Sequence, residues 1–453
     1  MSPSLDPDRA AQPDAVAGIP ERTAATTAGR APRSRARRAA AWLPTLLLAL
    51  ALLAAVAVPA RAATGGAGLE AGGEEVVPAA EQVPVGNTPY DRQGMWIWYV
   101  SHSEAGSVPG IVARARANGI GTVYVKSGDG STYWSQFNRA LVRRLHQGGL
   151  DVCAWQFVYG QKPVAEAKVG AMAVKRGADC LVIDAESDYE GRYASADRYI
   201  RTLRAQIGEE FPLSLAGFPY VDYHPAYPYS VFLGPGGAQY NQPQMYWKTI
   251  GVSVRTIFEH TYLFNRLWER PIYPLGQTYE GPGSTSLRLF RRYAASFGSG
   301  PPSWWSWQET SGREWGALSS SAGERPFTGF RRSVEHPLLK AGDRGDMVVW
   351  AQEHLIGAGA ELEVNGVFGQ QTRAAVRAFQ KDQQMKVDGQ IGTETWEALL
   401  AYQPYRMPWA SQRTRGHKGA ASSARVTPAR RPLSASLPAK ADEIPPRAGA
   451  GLP

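Results

Sequence analysis

Leu181-Val182-Ile183-Asp184-Ala185-Glu186 is an apolar run that ends in two carboxylates. Branched aliphatic residues of this kind favour an extended strand. Side chains at i and i+2 leave a strand on the same face, so Asp184 and Glu186 are expected side by side. The run is one of eight. Strand-like segments at residues 95–100, 122–126, 152–159, 180–184, 213–218, 244–247, 272–277 and 303–308 alternate with amphipathic, helix-like stretches. The latter include residues 108–118, 138–147, 164–176, 194–207, 252–267 and 286–296. Short strands alternating with crossover helices imply a parallel sheet. Eight such units between residues 94 and 318 fit a (β/α)8 TIM-type barrel better than an open doubly wound sheet. No Gly-rich phosphate fingerprint follows the first strand, which argues against a dinucleotide fold.

In such a barrel the chemistry sits at the C-terminal ends of the strands. Those positions hold Trp98, Gln156, Asp222, Tyr246, Trp247, Gln277, Trp307 and Gln308, besides Asp184 and Glu186. Indole and phenol faces beside amides and carboxyls suit a sugar-binding cleft, although much of the aromatic content simply fills a barrel. Two carboxyls in one crowded site push their pKa values apart, leaving one able to donate a proton near neutrality. A carboxyl pair so tuned is what glycosidic cleavage requires.

The end of strand four and the stretch Ser306-Trp307-Gln308-Glu309-Thr310-Ser311-Gly312 on the last strand resemble the family 25 lysozymes. Gln244-Met245-Tyr246-Trp247 resembles a strand-six stretch of chitinase-like barrels, which share the D-x-E. The resemblance implies Glu186 as general acid, Asp184 as stabiliser of the acetamido group or oxocarbenium ion, and Tyr246 as a substrate anchor. One departure leaves a second reading open. Family 25 opens with an Asp on strand one, and here that strand reads Gly94-Met95-Trp96-Ile97-Trp98-Tyr99-Val100. The alternative is a non-catalytic, wall-associated carbohydrate-binding scaffold.

Nearer the C-terminus one phrase occurs twice. Val364-Asn365-Gly366-Val367-Phe368-Gly369-Gln370-Gln371-Thr372 returns as Val387-Asp388-Gly389-Gln390-Ile391-Gly392-Thr393-Glu394-Thr395, each followed by a helix-like segment. Asn-Gly and Asp-Gly make tight turns that tolerate positive φ. Phe368 and Ile391 should point inward, and Thr372 and Thr395 stand where helix N-caps belong. A short repeated unit must stack on its twin to bury its apolar face. With Leu339-Lys340-Ala341-Gly342-Asp343-Arg344-Gly345 and Ala375-Val376-Arg377-Ala378-Phe379-Gln380, the segment resembles the three-helix peptidoglycan-binding module of bacterial wall enzymes. The resemblance implies a peptidoglycan ligand near the turns, at Asn365, Gly366, Phe368, Asp388, Gly389 and Ile391.

The net charge of +9 is not a nucleic-acid signature. The first 40 residues carry seven Arg against four acids, and residues 403–453 carry nine Lys or Arg against two, so the chain between them is nearly neutral. The expected organisation is a basic n-region (1–38), a signal peptide or retained transmembrane anchor (39–62), a linker (63–90), the glycosidase-like barrel (91–330), the module (334–402) and a basic tail (403–453). Residues 39–60 contain no charge, Arg33, Arg35, Arg37 and Arg38 precede them, and Ala60-Arg61-Ala62 is a cleavage-type pattern,. Both readings of that segment place the globular part outside the cell, with membrane contact only through an uncleaved segment. The seven His show no metal-ligand spacing, so no metal or cofactor is expected. The expected partner is peptidoglycan or another amino-sugar polysaccharide, with no nucleic acid, and the expected state is a monomer. Cys153 and Cys180 begin consecutive strands; a bridge between neighbouring parallel strands is geometrically awkward, so two buried thiols are expected.

Overall fold

The structure, a computed structural model, describes residues 88–319 and 325–411. Eight parallel strands carry the barrel: β1 (Gly94–Ile97), β2 (Thr122–Asp129), β4 (Asp151–Val158), β5 (Cys180–Ala185), β6 (Leu213–Ala216), β7 (Tyr240–Asn241), β8 (Leu275–Gln277) and β9 (Ser303–Trp305). A short antiparallel strand, β3 (Thr132–Tyr133), folds back on β2. The order is β7-β6-β5-β4-β2-β1-β9-β8, and the β7–β8 seam is joined only by the bridges Asn241↔Ile272 and Gln244↔Leu275.

The strands are buried at nearly every position because both faces are covered, as parallel sheets require,. Alternate residues divide into two layers. Met95, Ile97, Val123, Val125, Leu181 and Ile183 face outward under the helices. Trp96, Tyr124, Cys153, Trp155, Cys180 and Val182 fill the barrel interior, with Tyr90 plugging one end. The Tyr90 hydroxyl donates to the Leu181 carbonyl at 3.0 Å, satisfying the one polar atom that this burial strands,. The outer helices are α1 (Val108–Ala117), α2 (Arg139–Gln147), α3 (Pro163–Lys175), α4 (Tyr193–Ile207), α5 (Tyr229–Phe232), α6 (Trp247–Ile250), α7 (Val254–Asn265), α8 (Ser284–Phe297) and α9 (Gly312–Leu318). The six stretches expected as helices fall within a few residues of α1, α2, α3, α4, α7 and α8.

Three expectations are corrected. The sixth strand is Tyr240–Asn241 and not residues 244–247. Pro243 has no N–H for a ladder, and from there the chain turns into α6. Cys153 and Cys180 form a disulfide. They are in register on β4 and β5, both point into the barrel, and their Cα atoms are 4.6 Å apart, inside the range that a bridge can span,. Third, residues 403–411, expected as tail, pack on the rest of the chain: Trp409 lies 4.7 Å from Tyr193, and Ala410 N–H donates to Asp197 Oδ2 at 2.9 Å.

The C-terminal module is built from α10 (Asp346–Gly357), α11 (Gln370–Asp382) and α12 (Thr393–Leu400). Its two turns are held alike. Gln352 Nε2 donates to Asn365 Oδ1 (3.0 Å), the Val367 carbonyl (3.1 Å) and Thr372 Oγ1 (2.9 Å), while its Oε1 accepts from Gly366 N–H (2.9 Å). Gln380 repeats the pattern with Asp388, Gln390, Thr395 and Gly389. Gly366 and Gly389 sit at φ 66° and 75°, where glycine is favoured,. Thr372 and Thr395 are therefore not N-caps; Gly369 and Gly392 hold those positions, and the threonines lie one turn into the helices as acceptors for the glutamines. The module shares one apolar core with the barrel. The Trp350 ring lies tilted against Trp268 at 5.2 Å, and its Nε1 donates to the Leu267 carbonyl.

Candidate active site

β5 places Asp184 in its last turn of extended chain and Glu186 just beyond, on the same inward face. Asp184 is only 8% exposed. The Gln244 amide lies between them: Nε2 donates to Asp184 Oδ1 at 3.2 Å and to Glu186 Oε1 at 3.1 Å. Since one nitrogen reaches both, the two oxygens cannot be farther apart than two hydrogen bonds. Burial and mutual repulsion raise the pKa of Asp184 well above the carboxylate range; Lys126 opposes this and Asp129 adds to it. Glu186 is raised by burial, with the Gln244 hydrogen bond pulling it down and Asp188 pushing it up. The pair consequently holds a proton to a higher pH than isolated carboxyls would.

Aromatic rings wall the pair. Trp98, Trp155 and Trp305 meet with centroids 5.3–6.4 Å apart. Tyr246 stands edge-on to Tyr279 at 5.5 Å, and its hydroxyl pKa is driven up by burial, Tyr279, Asp184 and Glu186 in that order. On the β2 side Lys126 Nζ is paired with Asp129 Oδ2 at 2.7 Å, and the Tyr159 hydroxyl donates to Asp129 Oδ1 at 2.8 Å.

The sequence-derived candidates scatter. Tyr246 feels both carboxylates, and Trp98 lies in the aromatic cluster around Lys126. Gln156 faces the other way, buried under α3, where Nε2 donates to the carbonyls of Gly130 and Glu166. That outcome follows from strand parity: Cys153 and Trp155 point inward, so Gln156 points out,. Gln277 Oε1 accepts from the N–H groups of Lys248 and Thr249 and so holds the start of α6. Trp247 packs 4.9 Å from Phe290 in the outer layer. Asp222 Oδ1 lies at hydrogen-bond distance, 2.7 Å, from His260 Nε2. Trp307 is buried against Trp315, and Gln308 Nε2 ties the end of β9 to Tyr99 and Ser103. These six residues support the frame, and among the described residues none of them is hydrogen-bonded to the pair. Lys126 and Gln244 were not among the candidates. Lys126 shares inward parity with Tyr124, which is the one sequence signal that marks it. Of the module candidates, Phe368 and Ile391 are buried and the Asn365, Gly366, Asp388 and Gly389 turns are occupied by Gln352 and Gln380.

Among the described residues no group of His, Cys, Asp and Glu could hold a metal ion, and no helix is long and apolar enough to cross a membrane. The segment expected as signal or anchor lies outside the described residues.

Residues 344–399 match a family model described as "Putative peptidoglycan binding domain". An uncharacterized protein of Kitasatospora aureofaciens is 41% identical over 73 residues, 16% of this chain and 61% of its own length. The structure of the Burkholderia AP3 phage endolysin is 43% identical over 14% of this chain and 24% of that one, with a TM-score of 0.14. A class V chitinase from Pseudomonas fluorescens covers 51% of this chain and 99% of its own at 12% identity and a TM-score of 0.40. The chain thus spans less than two thirds of the relatives matched through its C-terminal segment. The three-helix segment behind the barrel is accordingly a module of the peptidoglycan-binding type.

Proposed function

We propose that this is a wall-binding protein whose barrel hydrolyses a glycosidic bond in an amino-sugar polymer, with peptidoglycan the first substrate to try. The observation that carries the reading is the carboxylate pair held on one Gln244 nitrogen at the end of β5, inside an aromatic cleft. Glu186, partly open to the cleft, donates the proton to the departing glycosidic oxygen. Asp184, deeper, stabilises the positive charge that develops at the anomeric carbon or holds the acetamido group that shields it, with Tyr246 beside it. Asp184 Oδ1 and Glu186 Oε1, at 3.2 and 3.1 Å from one nitrogen, are closer than the gap of about 6.5–9.5 Å that an inverting enzyme keeps for its water,. A water then attacks the anomeric carbon, passing its proton to the Glu186 carboxylate, and a new reducing end is released. The C-terminal module raises the local concentration of polymer at the cleft. The Cys153–Cys180 bridge suits an oxidising compartment, in keeping with an exported globular part,.

The scaffold reading keeps one supporting observation. β1 offers Trp96 and Trp98 to the interior and no acid. Reducing-end release from sacculi and from amino-sugar exopolysaccharides, by wild type and Glu186→Gln, separates the two. Loss of a general acid lowers the rate by about 10²–10⁴. Equal release from both proteins, or none from wild type on any polymer, leaves the scaffold reading.

A further inference from the structure

A β-bulge builds part of this cleft. The β2–β4 register runs Lys126↔Trp155 and then Gly128↔Gln156, which leaves Ser127 as an extra residue on β2. In a regular strand residues three apart face opposite sides. The bulge cancels that alternation, so Lys126 and Asp129 both turn inward and pair at 2.7 Å,. The Lys126 side chain is 4% exposed, and its Nζ lies 4.8, 4.5 and 4.8 Å from the ring centroids of Trp98, Trp134 and Trp155. Three indole faces and one carboxylate thus cage a buried ammonium, an arrangement that offsets part of its desolvation. Asp129 and Asp184 flank the same β4 residue, Phe157, in the register of the sheet. Asp184 has an amide and no cation in hydrogen-bond contact.

We propose that Lys126 is a positioning residue whose charge biases the proton shared by the carboxylate pair away from Asp184 and toward Glu186. The role rests on reading Asp184 and Glu186 as the working pair. The groups facing Asp184 are Glu186 on its own strand, Lys126 and Asp129 from β2, Gln244 and the Tyr246 hydroxyl from the segment after β7, and Tyr227, whose hydroxyl donates to the Ala185 carbonyl. Of these Lys126 alone is a cation. Burial, Glu186 and Asp129 all raise the Asp184 pKa, and Lys126 lowers it. A plain structural role, the lysine stem filling the barrel mouth, would leave the titration of Asp184 where it is.

The test is a carboxyl titration that does not depend on activity. In the full chain, labelled with 13C at aspartate carboxyls and assigned through Asp184→Asn, the Asp184 midpoint is compared among wild type, Lys126→Met and Lys126→Arg. Removing the charge should raise the midpoint by about one pH unit or more, a tenfold change in proton affinity. Lys126→Arg should return it toward the wild-type value. An unchanged or lowered midpoint in folded Lys126→Met overturns the proposal. If that variant does not fold, Lys126→Gln, polar and of similar reach, is read by the same criterion. Sugar release by wild type is scored separately: a shifted midpoint in a protein that releases no sugar upholds the Lys126 role and sinks the hydrolase reading.

Discussion

Gln244 is the residue on which the site turns, because its one amide nitrogen keeps two buried carboxylates from separating. Such a site is expensive to keep. Both carboxyls have raised folded-state pKa values, so the stability they contribute is complete below the unfolded carboxyl range and is lost as pH rises through the folded values,. Asp184→Asn should therefore raise the melting temperature more at pH 8 than at pH 4, read by calorimetry; an equal shift at both would mean that burial does not raise the Asp184 pKa,. The D-x-E was legible from its alternation at the end of an apolar run. Gln244 was not, because Gln244-Met245-Tyr246-Trp247 reads as a strand until the two-residue β7 and Pro243 are seen to shift the seam. Lys126 carried one signal, its parity with Tyr124, but its pairing with Asp129 was hidden, because the bulge that turns Asp129 inward has no mark in the sequence.

At the scale of elements, the parallel strands were legible because both of their faces are apolar, and parity within them decides which side chains reach the cleft. Gln156 was misassigned by strand end alone, although the inward Cys153 and Trp155 exclude it. The same parity brings Cys153 to Cys180, closing a separation of 27 residues. Replacing both with Ala should lower stability by about 2–4 kcal/mol, measured as the shift in urea midpoint, and reductant should lower the wild type and leave the double variant unmoved. In the module, each turn hangs on a glutamine one helix back. Gln352→Ala strands the N–H groups of Asn365 and Gly366, at about 1–3 kcal/mol for the group left unsatisfied,. Gln380→Ala should behave alike at Gly389. If either change is neutral in urea unfolding, the turns are held by their own Asx geometry and not by the glutamines.

At the scale of the molecule, the module is fixed on the barrel by a shared core. Trp350 lies against Trp268, and Asp346 accepts from Ser230 N–H (2.8 Å) and Oγ (2.6 Å) on α5. This junction was not legible in the sequence, where residues 331–333 read as the gap between two independent units. Burial raises Asp346 from 3.8 to about 7, against the pull of its Ser230 hydrogen bonds. Its stabilising share is whole below about pH 4 and falls as pH rises to about 7,. Wild type should melt progressively lower across that window, and Asp346→Asn should flatten the decline. Because the cleft and the module turn as one body, a polymer held by one is presented to the other in a fixed geometry. The most direct test of the central claim follows the bond itself. The full chain is incubated with purified sacculi in 18O water and the released fragments are weighed by mass spectrometry. Glycosidic hydrolysis through Glu186 predicts one 18O at each new reducing end for wild type, and about 10²–10⁴ less product for Glu186→Gln. Sacculi that bind the protein yet release no 18O-labelled sugar, or equal release by both proteins, would contradict it.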